Sequence, residues 1–387
     1  MDVSVEVSYK SLNKFHEELC GDKVEIIKTA DSDIAILADG MGSGVKANIL
    51  ATLTSKILGT MFQNGASIED AVETIVKTLP ICQVRKVAYA TFSILQIFHN
   101  GEGYLVEFDN PECVLIRDKK LMDIPFTHRE LEGKDIREWR FRVQMGDCFV
   151  LMSDGVVYAG AGEILNLGWT RDSMAEYALK CMKTTTSASR LTAMLSKACD
   201  DLYLQKPGDD TTVCVTRVIP RRLVSIFTGP PEDPDDDRKL MEQFMSEAGC
   251  KVVCGGTSAN IAAKYLDKPV VTQIQNTSSD VPPMAEIEGM DLVTEGIITM
   301  NKALKLLRQY VRDEVDVDFF LALDEDNGAA RLAKILIEEC TELKLFVGKA
   351  VNQAYDATMD LDLRMNLIGQ LKSVVEQMGH RVEIIYF

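Results

Sequence analysis

Apolar and polar residues alternate over residues 3–8, the period of a half-buried strand. Two shorter strand-like runs follow at 24–28 and 34–38, separated by the turn-forming triplet Asp31-Ser32-Asp33. Over 44–61 the apolar positions recur at helical spacing. A second helix over 67–78 opens on Ser67 with Asp70 three residues on, a capping pair. Strand-like runs return at 90–98, 104–108, 113–117 and 148–152, with Asn100-Gly101 as a hairpin signal. Helices over 171–182 and 187–204 and a strand over 212–218 close this half. Strands in consecutive runs with helices in pairs predict an α+β domain rather than βαβ units.

The second half has a different rhythm. Strand-like runs at 224–228, 251–254, 270–273, 319–323, 343–347 and 381–386 alternate with helical stretches at 236–248, 258–266, 300–312, 327–339 and 361–378. That alternation predicts an α/β layered domain with a mainly parallel sheet. Pro220-Arg221-Arg222 interrupts two strand-like runs and places the boundary there, giving domains 1–219 and 220–387. The proline-acid stretch 230–237 (PPEDPDDD) then lies just inside the second domain as a solvated lead-in to a helix.

A chain of 387 residues suits two or three domains. The net charge is −17, from 42 basic and 59 acidic residues. That balance argues against nucleic acid and against an anionic membrane surface as partners. The N-terminus lacks the pattern of a signal peptide, and no apolar run reaches the roughly 18–20 residues of a membrane span, so a cytoplasmic location is expected. The ten cysteines fit that compartment: Cys20, Cys82, Cys113, Cys148, Cys181, Cys199, Cys214 and Cys340 are scattered, and several lie in apolar runs, as free thiols would. Cys250 and Cys254 form a single C-x-x-x-C, a weak zinc signal without a second pair.

The chemistry concentrates in aspartates beside glycine at strand ends. Asp22 follows Gly21 before a strand, Asp39-Gly40 ends IAILADG, Asp154-Gly155 ends FVLMSDG, and Asp209-Asp210 precedes TTVCVTRV. A lone Asp-Gly after a strand is more often a hairpin turn, and a lone Asp-Asp a solvated loop. Several such ends converging make a hard-oxygen site suited to Mg²⁺ or Mn²⁺. The glycine is expected to let the backbone turn and to bring a carbonyl to the same point.

In that order, GD, DGMGSG, SDG and GDDTTV resemble the metal-dependent protein phosphatase 2C superfamily, and most closely its SpoIIE/RsbU-type serine phosphatases. The resemblance covers about residues 1–219. It implies a β-sandwich of two antiparallel sheets flanked by helices. It implies that Asp39 bridges two ions, Mn²⁺ or Mg²⁺, that Gly40 adds its carbonyl, that Asp22 ligates one ion, and that Asp154 and Asp209 ligate the other. Asp209 aligns with the family ligand, leaving Asp210 a supporting or competing role. No counterpart is evident before Asp22 for the arginine with which larger relatives hold phosphate. The implied activity is hydrolysis of phosphoserine or phosphothreonine on a protein, with anti-anti-sigma-like proteins as the substrate class, in bacterial signalling. The alternative is a catalytically weak module of the same fold that acts by binding a partner or ligand.

The second domain resembles no named family. Gly255, Gly256, Thr257 and Ser258 sit between a strand-like and a helical run, where backbone amides can meet an anion. An ordinary turn capped by Ser258 accounts for the same residues. The cluster 324–328 (DEDNG) reads as a helix-capping loop ahead of a second metal site.

Overall fold

The computed structural model describes residues 3–78, 90–131, 134–273, 281–312, 315–350 and 357–387. Cys82 lies outside the described residues. The chain divides into two compact units, Met1–Pro220 and Arg221–Phe387.

In chain order the first unit contains β1 (Val3–Leu12), β2 (Asp22–Lys28), β3 (Ser32–Gly40), α1 (Gly44–Gln63), α2 (Ile68–Thr78), β4 (Ala90–Phe98), β5 (Glu102–Phe108) and β6 (Val114–Arg117). Then come β7 (Lys120–Met122), β8 (Thr127–Leu131), β9 (Lys134–Arg142), β10 (Cys148–Met152), α3 (Asp154–Val157), α4 (Arg171–Cys181), α5 (Ala188–Leu202) and β11 (Thr211–Pro220). Two antiparallel sheets result, with orders β1-β11-β10-β6-β7 and β2-β3-β4-β5-β9-β8.

The strand residues explain the layering. In β3, Ala35 and Leu37 meet Leu95, Phe149, Leu151 and Cys214 between the sheets. Ile34, Ile36 and Ala38 point the other way, onto Ala51, Leu58 and Phe62 of α1 and Val72 and Ile75 of α2. In β10, Phe149 and Leu151 face inward while Val150 and Met152 meet Met174, Ala178, Leu191 and Leu195 of α4 and α5. Both faces of these central strands are covered, so they read as unbroken apolar runs rather than alternating ones. The sandwich of two antiparallel sheets between helix pairs is the fold that the sequence implied. Strands β7, β8 and β9 escaped the sequence pattern because β7 has only three residues and charge dominates the other two, as in KDIREWRFR; pairing makes them strands, β7 with β6, β9 with β5 and β8 with β9.

Among the described residues, the apolar clusters of this unit draw their members from it alone. Residues 1–220 alone are therefore expected to fold and to unfold in one cooperative transition. Circular dichroism and denaturant titration of that fragment check this; an insoluble or molten fragment would show that its core needs the rest of the chain.

The second unit runs β12 (Leu223–Thr228), α6 (Asp237–Ser246), β13 (Cys250–Cys254), α7 (Gly256–Leu266), β14 (Val271–Thr272), β15 (Ala285–Glu286) and β16 (Leu292–Thr294). It continues through α8 (Ile297–Val311), α9 (Val317–Leu323), α10 (Gly328–Glu338), β17 (Glu342–Val347), α11 (Ala357–Gln377) and β18 (Arg381–Tyr386). Its sheet has the order β14-β15-β16-β13-β12-β17-β18; the five strands from β16 to β18 are parallel, and β14 and β15 add an antiparallel edge. In sequence rank the parallel strands run third, second, first, fourth, fifth, the doubly wound order that places ligands at the carboxyl ends of the strands. Helices α6 and α7 cover one face, where Phe227, Val253 and Phe346 meet Leu240, Phe244 and Ala262.

Residues 319–323, expected as a strand, are helical in α9. Asp316 accepts a hydrogen bond from the Phe319 amide and Asp318 stands in the first turn, so this short apolar run has a helix start that periodicity alone does not show. Asn327 caps α10 through the amides of Ala329 and Ala330, the capping reading of the acidic cluster. Cys250 and Cys254 sit at opposite ends of β13, about 13 Å apart at strand rise, and do not chelate one ion together. The nine described cysteines are free. Among the described residues no helix is long and apolar enough to cross a membrane.

Candidate metal centre

Both sheets deliver aspartates to one edge of the sandwich. Asp22 opens β2 and Asp39 stands directly opposite it near the end of β3. From the other sheet, Asp154 begins α3 just after β10, and Asp209 and Asp210 lead into β11, the neighbour of β10. The structure therefore brings Asp22, Asp39, Asp154, Asp209 and Asp210 within electrostatic range of one another. Asp22 is 3 % exposed and Asp210 is 4 % exposed. Asp39, Asp154 and Asp209 are half-buried.

Glycine makes this convergence possible through close approach. A Cβ on Gly21 would lie 2.6 Å from Asp210 Oδ2, one on Gly40 would lie 2.0 Å from the Ala47 carbonyl oxygen, and one on Gly155 would lie 2.1 Å from the Asp210 carbonyl oxygen. None of the three has a positive φ. The expectation that these glycines turn the backbone is therefore corrected: they let α1 and the β11 lead-in press against the acidic strand ends. The turning is done by Gly42 and Gly44 of DGMGSG, at φ +102° and +67°.

The electrostatics are those of a site built for cations. Burial, and then the charges of Asp22, Asp154, Asp209 and Asp210, push the Asp39 carboxyl up to about 9. Burial raises Asp22 to about 7, with Asp210 and Asp154 adding to the rise. The Ser153 and Thr212 hydroxyls lie near enough to moderate that rise, yet both Asp22 oxygens lack a hydrogen-bond partner, as does Asp210 Oδ2. Asp154 is raised by burial and by Asp209. Buried carboxylate oxygens without donors are costly unless a cation meets them.

The donor set fits hard divalent ions in chemistry and charge. Among the described residues no three His, Cys, Asp or Glu side chains are gathered tightly enough to hold one ion as they stand.

Two residues before Asp22 belong to this edge although no sequence pattern singled them out. Lys14 lies with Nζ 3.4 Å from Asp209 Oδ1, its side chain 37 % exposed, and its backbone amide donates to Asp210 Oδ1 at 3.0 Å. Its charge offsets part of the rise that burial and Asp209 impose on the Asp154 carboxyl. Glu17 accepts from the Ser43 hydroxyl at 3.2 Å and fastens the 13–20 loop to DGMGSG. A lysine eight residues before an aspartate has no local signature; its contact with a residue 195 positions on reveals it. Lys46 is exposed, and His128 pairs with Asp135 on the β8-β9 hairpin. In the second unit, Gly255 to Ser258 stand at the start of α7.

An antiparallel sandwich between helix pairs, with a carboxylate cluster joining its two sheets, defines this unit as a phosphatase 2C-like domain. Residues 31–219 match the family described as Stage II sporulation protein E (SpoIIE), and this stretch of the chain is a SpoIIE-family domain. No curated protein sequence matches the chain significantly. One similar solved structure is the PP2C phosphatase domain with a fragment of the regulatory domain of SpoIIE from Bacillus subtilis: 20% identity over 56% of this chain and 64% of that one, TM-score 0.48. This chain thus spans less than two thirds of that structure. The RsbU and RsbW domains of Rv1364c from Mycobacterium tuberculosis match at 17% identity, over 62% of this chain and 67% of that one, TM-score 0.46. RsbX in complex with magnesium matches at 19% identity, over 56% and 98%, TM-score 0.40. Likenesses at these identities and TM-scores bear on neither activity nor partners.

Proposed function

We propose that the first unit is a metal-dependent phosphoprotein phosphatase that hydrolyses phosphoserine and phosphothreonine. One observation carries the reading: aspartates from both sheets converge at one edge, with both Asp22 oxygens and Asp210 Oδ2 buried and unpartnered. Asp39, opposite Asp22 and raised by the charges of the other four aspartates, would hold both ions, and the Gly40 carbonyl would add a further oxygen. Asp22 would complete one ion's ligands, and Asp154 and Asp209 the other's. Asp210, whose Oδ1 accepts from the Lys14 amide, would hold the 13–20 loop in place beside these ligands. When bound, Mn²⁺ or Mg²⁺ supplies a water of lowered pKa and a clamp on phosphoryl oxygens. The carboxylates fix the position and charge of that centre. The open side, where Asp209 is 42 % exposed, admits a phosphorylated side chain on a protein surface.

Turnover of p-nitrophenyl phosphate with Mn²⁺, lost on chelation, tests the reading. Its absence under saturating Mn²⁺ would favour a binding module of the same fold. Anti-anti-sigma-like phosphoproteins are the substrate class to assay next.

Lys14 supplies the cation at the opening that the sequence left unassigned, and it acts as a positioning residue for phosphate. Lys14→Ala is expected to raise KM for the aryl phosphate by about tenfold, near 1.4 kcal/mol, with a smaller effect on kcat. Removing a positive charge beside the carboxylates should leave Mn²⁺ affinity equal or tighter. Unchanged KM would reduce Lys14 to a partner of Asp209.

A further inference from the structure

Two helices of the second unit begin at one point without caps. Gly255 is the N-cap of α7 and Gly296 the N-cap of α8; neither offers a side chain to the first-turn amides, and neither first turn contains an acidic residue. The helices have 11 and 15 residues, long enough for a substantial dipole. Their caps touch: a Cβ on Gly296 would lie 3.5 Å from Gly255 Cα. The contact is fixed by the sheet, since Cys254 pairs with Thr294 at the ends of β13 and β16, and the Gly255 amide donates to the Thr294 carbonyl at 2.9 Å. This is the carboxyl edge of a doubly wound sheet.

A second observation points to a ligand there. Ser258 is 1 % exposed, its hydroxyl has no hydrogen-bond partner, and Oγ lies 3.6 Å from the position a Gly255 Cβ would take, so it is aimed at the cap. A buried hydroxyl left unpaired is costly unless a ligand meets it. Thr299, in the first turn of α8 and fully buried, has an unpaired hydroxyl as well. The backbone itself is open to an approaching group. Gly255 has a φ of +117°, and no atom lies within 4 Å of a Cβ built on Gly256, so packing does not demand glycine at that second position. Glycine at the first position of a helix is unfavourable relative to alanine, and the open space beside it suits a ligand that comes close to the main chain.

We infer that the paired starts of α7 and α8 bind the phosphoryl group of a small ligand, held by the first-turn amides of both helices and by the Ser258 hydroxyl. A tetrahedral oxyanion offers several acceptors to donors arriving from two directions, and both dipoles favour its charge. Glu295, exposed and adjacent to the α8 cap, is a charged neighbour of the site. This site is independent of the first unit's carboxylates, so it stands or falls apart from the phosphatase reading.

Amide hydrogen exchange of the full chain in EDTA, with inorganic phosphate in one arm and ADP in the other, tests it. Chelation keeps divalent ions from recruiting phosphate to the aspartate cluster. Slowed exchange is expected for 256–258 and 297–299 at ligand concentrations up to roughly millimolar. Tighter protection by ADP identifies a nucleotide as the source of the phosphoryl group; equal or better protection by phosphate identifies a simpler phosphorylated ligand. Gly256→Asp places a carboxylate where the anion would sit, in open space and at the helix end that favours acid, so folding should survive and protection should vanish. Ser258→Ala should weaken it several-fold and serves if the aspartate variant fails to fold. No protection in either arm, or protection that persists in Gly256→Asp, overturns the inference.

Discussion

Asp39→Asn is expected to lower aryl-phosphate turnover on the order of 10³-fold, about 4 kcal/mol of transition-state stabilisation. Asp39 is the member of the cluster that feels all the others: burial raises its carboxyl first, and Asp22, Asp154, Asp209 and Asp210 raise it further. On the proposed reading a residue so placed would hold both ions, and an amide at that position lacks the charge to do so. The same substitution should stabilise the metal-free protein, because folding no longer has to bury a carboxylate or take up a proton there. The expected signature is therefore a split: activity and Mn²⁺-induced stabilisation fall while the melting temperature in chelator rises. Near wild-type turnover by this variant would sink the two-ion assignment. A fall in both activity and chelator-state stability would instead mark Asp39 as a structural residue.

Chelation is expected to abolish turnover and to lower the melting temperature by several degrees. An ion at 100 times its Kd contributes about 2.7 kcal/mol to the folded state. At roughly 2–4 °C per kcal/mol for a unit of this size, that is a shift of about 5–10 °C. The pH dependence follows from the raised carboxyls. Asp22 is pushed up to about 7 and Asp39 to about 9, above the 3.8 of an unfolded aspartate. Between those limits the folded state holds protons that the unfolded state has released. Stability of the chelated protein should therefore decline as pH rises from about 4 to about 9. Protons compete with divalent ions for the same oxygens, so apparent Mn²⁺ affinity should rise over the same interval. Calorimetric scans at several pH values, with EDTA and with Mn²⁺, check both trends. A chelated protein whose stability is flat or rises across that window would show that these carboxylates ionise freely and are not a compressed cation site.

Much of the candidate centre was legible locally. Asp22, Asp39, Asp154 and Asp209 each sit where an apolar run begins or ends, and a strand end needs only its own residues to be recognised. The glycines beside them were legible as positions, but not in their purpose. Close approach of Ala47 to Gly40, or of Asp210 to Gly21, is a contact between distant segments, and no local pattern carries it. Lys14 and Glu17 were missed for the same reason. Their partners lie far along the chain or in a loop whose path depends on the sheets being closed.

The sequence by itself determined the element types wherever a long periodic run existed. Strands such as Ala90–Phe98, Cys148–Met152 and Arg381–Tyr386 follow from residue pattern alone, because side-chain period is a property of the local backbone. It also determined the change of rhythm from consecutive strands to strand-helix alternation near Pro220. Tertiary structure decided what needs a partner. The charged β9 is a strand because β5 pairs with it, and the three-residue β16 because β13 does. The short run 319–323 is a helix because Asp316 caps it. The parallel strand order, which sets Gly255 against Gly296, and the register that sets Asp22 against Asp39 are likewise relations between segments. Such pairings depend on the relative free energy of alternative arrangements of the whole chain, and a reading of residues in their local order does not contain that comparison.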